Sequence, residues 1–272
     1  MSFIPFGDVQ GVLRCPLCQE GLHREGNSLC CAHRHTFDLS KQGACNLIPN
    51  MKASKEYDKE NFVYRNQVLE AGFYDNILEG IANRMPKEGR VLDVACGEGF
   101  YARALADIQE SLSIYAFDLS KHSIQLAAKK DRNKKISWLV ADLANLPFED
   151  QSIDVILDIY SPANYGEFKR VLKPGGLLIK VVPHPNHVKE LRALLPDEKR
   201  EAYSNQTLLD LFSEHFTVVE QVTIQQTSPV TKEQRQAFIE MSPVLFHAKK
   251  ENLPQESIEA VTVAGTLLLG RR

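Results

Sequence analysis

The sequence predicts a doubly wound α/β domain with a mainly parallel, seven-stranded sheet, preceded by a small cysteine–histidine module. Three observations predict it. The stretch Val91–Phe100 runs from apolar residues through Asp93 into the glycines Gly97 and Gly99. A helical pattern follows as far as Asp107, which makes a strand–turn–helix opening suited to a nucleotide. Strand-like and helix-like segments then alternate to the end of the chain. Finally, five of the six cysteines fall within residues 1–50, at the spacing of metal ligands.

Length and composition agree. A chain of 272 residues buries a sizeable core and has room for one large and one small unit. Its apolar (43%) and charged (25%) fractions are those of a soluble globular protein. The net charge of −3 and pI near 6.3 do not advertise a nucleic-acid binder, so any such contact needs a local patch. No apolar run approaches a membrane span, and no basic region followed by an apolar core marks a signal peptide. The expectation is therefore a cytoplasmic protein without a membrane partner, whose cysteines bind metal rather than pair as disulfides.

Three segments follow in order: a zinc-binding module at 1–50, a linker and helix region at 51–85, and the α/β domain at 86–272. In the module, Cys15-x2-Cys18 precedes Cys31-x3-His35 by twelve residues. This spacing suits a structural zinc site with all four positions filled, in a segment too small to hold its own core. Cys30 and His33 compete for the last two places. Cys45 and Cys96 read as buried apolar thiols, and His23 as a surface residue. Lys52–Asn61 is polar and reads as linker. Apolar residues from Phe62 to Met85 recur at helical spacing, closed by Pro86 and Gly89.

The α/β repeat then places strands at 90–96, 113–118, 136–141, 153–160, 177–183, 216–226 and 258–269. Helices fall at 99–108, 120–130, 164–172, 186–195, 206–214 and 231–240, with Ser120 as an N-cap. Lys173-Pro174-Gly175-Gly176 reads as a turn into the fifth strand. In such sheets the ligand sits at the carboxyl ends of the strands, so Gly97, Asp118, Asp142 and Tyr160-Ser161-Pro162 should share one rim. By the same rule the basic stretch Lys129–Lys135 lies on the far side, as a solvated face.

The ligand can be narrowed from the loop. Asp118, nineteen residues after Gly99, ends the second strand and suits the hydroxyls of an adenosine ribose. The dinucleotide spacing G-x-G-x-x-G is absent, and Glu98 within the loop repels a pyrophosphate but tolerates a cation. S-adenosylmethionine fits, with a sulfonium, an amino group and no phosphate. Asp93-x-x-Cys96-Gly97-Glu98-Gly99, Asp118, Asp142-Leu143 and Val171-Leu172-Lys173-Pro174-Gly175-Gly176 resemble the successive motifs of class I S-adenosylmethionine-dependent methyltransferases, whose sheet is Rossmann-like. Ala95 replaces the commoner first glycine, a departure tolerable if its φ stays negative.

The zinc half narrows the resemblance. Cys15-Pro16-Leu17-Cys18, Cys31-x-x-Arg34-His35-x-Phe37-Asp38 and Gly43-x-x-Asn46-Leu47-x-Pro49 are similar to the RlmA family of bacterial 23S rRNA guanine-N1 methyltransferases. So are Ala71-Gly72-x-Tyr74, Cys96-Gly97-Glu98-Gly99, Ile159-Tyr160-x-Pro162, His187 and Met241-Ser242-Pro243. The resemblance spans most of the chain. It implies a zinc-ribbon-like, RNA-recognising module and methyl transfer to N1 of a guanine in a hairpin loop of domain II of 23S rRNA, near the peptide exit tunnel. It also implies a homodimer. Tyr74 and His187 would contact the methyl donor, Gly97, Glu98 and Gly99 its methionine end, Asp118 its ribose and Asp142 its adenine amine. Asp118 could instead cap its helix, and Asp142 could close a turn.

Guanine N1 lies on the pairing edge, so the base must be flipped out or unpaired. Its proton must also leave; Asp158, Tyr160 and His187 are candidates for handling it, and no general base is assigned. A second reading keeps the donor and changes the acceptor, since Lys173–Gly176 also resembles small-molecule methyltransferases such as those acting on quinones. A third is a zinc-dependent binding protein with an inactive domain; the intact Gly97, Gly99 and Asp118 argue against it.

Overall fold

The computed structural model describes residues 4–48, 59–195, 203–250 and 253–272. Pro49 and the linker segment from Lys52 to residue 58 lie outside the described residues. The first strands, β1 (Leu22–Glu25), β2 (Ser28–Cys31) and β3 (Thr36–Asp38), form a small antiparallel sheet. Gly26 turns β1 into β2 with φ +59°, a conformation that a side chain disfavours. The next strand, β4 (Ala44–Asn46), leaves this sheet. It pairs parallel with β7 (Ile136–Val140) at the edge of the main one. A strand counted in sequence with the zinc module is thus the eighth strand of the large sheet.

The helix region divides in two, α1 (Lys59–Glu70) and α2 (Asp75–Ala82). The continuous helical spacing conceals the break, which comes at Gly72 in a left-handed conformation, φ +83°. The repeat then runs β5 (Gly89–Val94), α3 (Phe100–Ile108), β6 (Leu112–Asp118), α4 (Lys121–Lys130), β7, β8 (Ile153–Ile159), α5 (Tyr165–Val171) and β9 (Leu172–Pro183). Ser120 caps α4 by accepting from the Ser123 N–H, and Asn164 caps α5. Lys173–Gly176 is a bulge within β9 rather than a turn before it, seen as a register shift opposite Ile153–Val155. The chain ends with α6 (Lys189–Arg192), α7 (Gln206–His215), β10 (Thr217–Pro229), α8 (Lys232–Met241) and β11 (Ala260–Arg271). The α6 helix is one short turn where the sequence predicts ten residues.

The sheet order is β10-β11-β9-β8-β5-β6-β7-β4, with only β11 antiparallel to its neighbours. Side chains alternate along each strand, so each face feeds its own core. Val91, Ile114, Leu157 and Val181 pack with α1–α4, α6 and α8. Leu92, Tyr115, Phe117, Ile156 and Leu178 pack with α5, α7 and the zinc module's Leu13, Leu22, Leu29 and Phe37. The connection from β7 to β8 crosses beneath two strands and contains no helix. The zinc module covers the face such a helix would cover. It is pinned there by Arg14 N–H to Pro147 O (3.1 Å) and Glu149 N–H to Val12 O (2.8 Å).

Candidate active site and metal centre

Cys15, Cys18, Cys31 and His35 converge, their ligand atoms all within 4.8 Å of one another. The edges are short: Cys15 Sγ to His35 Nδ1 3.5 Å, Cys31 Sγ to His35 Nδ1 3.4 Å, and Cys18 Sγ to Cys31 Sγ 3.6 Å. A tetrahedral zinc with three sulfurs at ~2.3 Å and a nitrogen at ~2.0 Å has edges of about 3.5–3.8 Å, so the residues fit the ion. The site is a Cys3His structural zinc centre with no open position. Cys30 is excluded by strand alternation: its neighbour Cys31 faces the cluster, and its own Sγ contacts Thr36 Oγ1. His33 is exposed. His23 lies at the surface beside Glu25. Cys45 is fully enclosed, and burial pushes its thiol up to about 12. Cys96 is only half-buried, because it sits in the glycine loop.

At the other end of the architecture, the carboxyl ends of β5, β6, β7 and β8 bring Gly97, Asp118, Asp142 and Tyr160 to one rim. The loop from β5 to α3 is wound by left-handed residues at every second position: Ala95 (φ +50°), Gly97 (φ +56°) and Gly99 (φ +71°). Ala95 therefore does not keep a negative φ, and the chain accepts strain of about 1–2 kcal/mol there. Gly99 is required for space as well, since a Cβ would lie 2.2 Å from the buried Trp138 ring. Asp118 accepts the Gly97 N–H (2.9 Å) and the Ser120 N–H (2.8 Å), which ties the loop to the start of α4. Each of its oxygens keeps a lone pair for a further donor. Asp142 closes its own turn through the Ala144 N–H (2.9 Å). The basic stretch Lys129–Lys135 lies at the amino end of β7, where Lys130 meets Glu70 and Lys135 meets Glu110.

Above the loop lies the Arg65 guanidinium, with Nη1 3.6 Å from where a Gly97 Cβ would stand. Burial works against its charge, but Glu98, Tyr101, Asp118 and Tyr74 together raise its pKa. Three buried polar atoms around it have no hydrogen-bond partner among the described residues, Asp93 Oδ2, Glu98 Oε1 and Tyr101 Oη; a fourth, Tyr160 Oη, lies beside Gly265 of β11. Burial raises the pKa of Asp93 to about 7 and that of Glu98 above its usual range; Arg65 pulls both down. Such orphaned groups are costly unless a ligand completes them. Two carboxylates and one guanidinium around the loop match a ligand bearing an ammonium and a carboxylate. S-adenosylmethionine is such a ligand and fits these residues.

Next to this cradle opens a cavity of about 600 Å3, lined by Arg65, Tyr74, Tyr101, Tyr160 and His187. The Tyr160 and His187 rings stack at 5.1 Å, and Tyr74 meets both edge-on. His187 Nδ1 accepts the Ala264 N–H (3.1 Å), which assigns the ring proton to Nε2. Burial, then Arg192, lower its pKa to about 4. His187 is therefore neutral, with its one ring lone pair taken by the Ala264 N–H and its Nε2–H left as a hydrogen-bond donor. Tyr160 (φ +53°) and Val188 (φ +47°) are held in left-handed conformations on the cavity wall, strain that clusters at sites of function.

Asp158 departs from its reading as a proton-handling candidate. Strand alternation turns it to the opposite face of the sheet, away from the cavity. There it is fully buried, and Lys180 Nζ (2.5 Å) and the Ser161 hydroxyl occupy its two oxygens. It anchors the loop that presents Tyr160. Sequence reasoning missed Arg65, Tyr101, Arg192 and Tyr203 as site residues. For Arg65 a signal existed: a lone cation on the α1 face that also carries Phe62 and Leu69. The others depend on contacts between distant segments.

Known proteins match on both halves. A family model described as "RlmA, N-terminal" matches residues 13–55, and one described as "Methyltransferase domain" matches 91–176. YxjB of Bacillus subtilis (strain 168), which carries the name of a 23S rRNA (guanine-N1)-methyltransferase, is 35% identical, covering 96% of this chain and 97% of its own. The 23S rRNA (guanine(748)-N1)-methyltransferase of Streptomyces fradiae is 28% identical, covering 91% and 90%. In solved structures, a chain of the Haloferax volcanii complex between the Trm112 methyltransferase activator and a methyltransferase superposes with a TM-score of 0.55. It is 21% identical, covers 81% of this chain and 99% of its own, and speaks for the fold alone.

Proposed function

The chain belongs to the RlmA-type family of 23S rRNA (guanine-N1)-methyltransferases, and from that premise we propose that it methylates N1 of a guanine in the domain II hairpin loop of 23S rRNA, near the peptide exit tunnel. The observation that carries this reading is the junction of the two sites. The cradle of orphaned charges opens directly into the 600 Å3 cavity, with Arg65 lining both. That volume is of the size that takes a small ligand such as a base.

In the proposed arrangement, Asp93 and Glu98 take the donor's ammonium and Arg65 its carboxylate, since its guanidinium makes no hydrogen bond to a described residue. Gly97 and Gly99 let the backbone approach the donor's methionine end. Asp118 receives the ribose hydroxyls and Asp142 the adenine amine, while Tyr74 closes over the methionine end. Bound S-adenosylmethionine supplies a methyl group on a sulfonium, already a good leaving group. Positioning of the two reactants is then the main demand on the protein. The His187 Nε2–H and the Tyr160 hydroxyl are the neutral donors available on this wall. Either can meet the donor's carboxylate or stabilise charge on guanine O6 as N1 loses its proton. Residues 1–50, built round Cys15, Cys18, Cys31 and His35, act as the RNA-recognising module, and the enzyme works as a homodimer.

The test is a methylation assay with labelled donor and unmodified 23S rRNA, mapped by reverse transcription. A methyl group on N1 blocks pairing, so a new stop one nucleotide short of a domain II hairpin guanine is expected. Donor binding without a stop would sink the RNA reading and leave a small-molecule acceptor.

A further inference from the structure

We infer that Tyr203, backed by Arg192, is the surface on which the extruded base stacks as it enters the cavity; the inference rests on the RNA reading above. Both residues line the cavity, and Tyr203 is 36% exposed there. The Arg192 guanidinium lies 4.9 Å from the Tyr203 ring centroid. It cannot swing freely, because it donates to Pro185 O (2.9 Å) and to the His187 carbonyl. A cation fixed over a phenol ring attracts the ring face and so holds the ring in place. What results is a rigid aromatic plate at the mouth of a site whose inner wall is the Tyr160–His187 stack.

The chemistry of the acceptor explains the need for such a plate. A base leaving its helix loses stacking on both faces, and proteins that receive extruded bases replace it with aromatic or guanidinium planes. The cavity also offers this base the Tyr160–His187 stack, polar groups and apolar contacts from Pro243 and Val244; Tyr203 adds a plane at the exposed side, where the base first arrives. Arg192 also joins the plate to the site within, since the carbonyl it holds belongs to His187. The position of the base and the position of the His187 donor are thereby set by one side chain.

The experiment compares Tyr203→Ala, Tyr203→Phe and Tyr203→Leu in the full-length zinc-loaded protein, with the domain II hairpin RNA and with donor alone. Loss of one stacking contact lowers kcat/KM for RNA on the order of 10- to 100-fold in the alanine variant. Phenylalanine restores it, and leucine, of similar bulk but without a π face, does not. Donor affinity by calorimetry and the melting temperature stay at wild-type values. An alanine variant as active on RNA as wild type, or leucine as good as phenylalanine, overturns the stacking role. So does a parallel loss of donor affinity. A wild-type protein that binds donor and leaves the RNA unmodified overturns the RNA reading itself, and the stacking role with it.

Discussion

Asp93 and Lys180 show how one buried charge differs from another. Burial raises Asp93 to about 7, against the pull of Arg65, and one of its oxygens has no partner. Its folded pKa lies above the unfolded value near 3.8. The empty protein therefore loses stability as pH rises through about 4 to 7, because a carboxylate must ionise inside it. The donor's ammonium reverses the preference. Donor affinity is expected to strengthen from pH 6 to 8 in the wild type, and to be weak and flat with pH in Asp93→Asn. Calorimetric titration at three pH values checks this; an unchanged slope in the variant would separate Asp93 from the donor. Lys180 instead has an opposite charge in Asp158 and a second acceptor in the Ser161 carbonyl. Lys180→Met strands a buried carboxylate and should cost about 3–5 kcal/mol in denaturant unfolding, with much of it regained in Lys180→Met/Asp158→Leu. Equal stability of single and double variants would refute the pairing. The sequence offers Asp158 as a proton-handling candidate, but only the phase of β8 within the sheet reveals that it faces away from the reaction.

Among the elements, the β5–α3 loop was the most legible, since Gly97 and Gly99 announce both a backbone approach and a packing constraint. Gly99→Ala is expected to destabilise by about 2–4 kcal/mol, because a Cβ meets Trp138 at 2.2 Å and φ is +71°. Thermal denaturation checks it, and a melting point within 2 °C of wild type (~0.5 kcal/mol) would contradict the close packing. The seven long strands and most helices were read to within a few residues, because alternation and 3.6-residue spacing are local signals. The break between α1 and α2 was not: Gly72 interrupts a helix whose apolar spacing continues across it. Nor was β4, three residues long, whose strand character comes from the exposed edge of β7 rather than from its own sequence.

For the whole molecule, the zinc module and the donor rim are mechanically joined. The chain from Val12 to Pro16 is hydrogen-bonded to the connection 142–150, and Arg170 and Glu167 of α5 grip that connection from its other side. Removing zinc should therefore weaken donor binding by about 5- to 20-fold, a coupling of roughly 1–2 kcal/mol. Chelation followed by calorimetry, with zinc added back, checks this; donor affinity indifferent to zinc would mean that the connection holds its shape alone. The metal ligands were legible because four side chains at fixed spacing need no tertiary information. Their attachment to the sheet was not, since it depends on a helix that the β7–β8 connection lacks. The same attachment sets the order in which the protein can be made. Synthesis delivers the module first, yet the edge that β4 joins and the face that Leu13 and Phe37 cover do not exist until β7 and β8 leave the ribosome. In the interval this newborn segment has its ion for support and a bare apolar flank, so expression in zinc-depleted medium is expected to lower the yield of soluble enzyme, and an unchanged yield would show that the module waits safely without its metal.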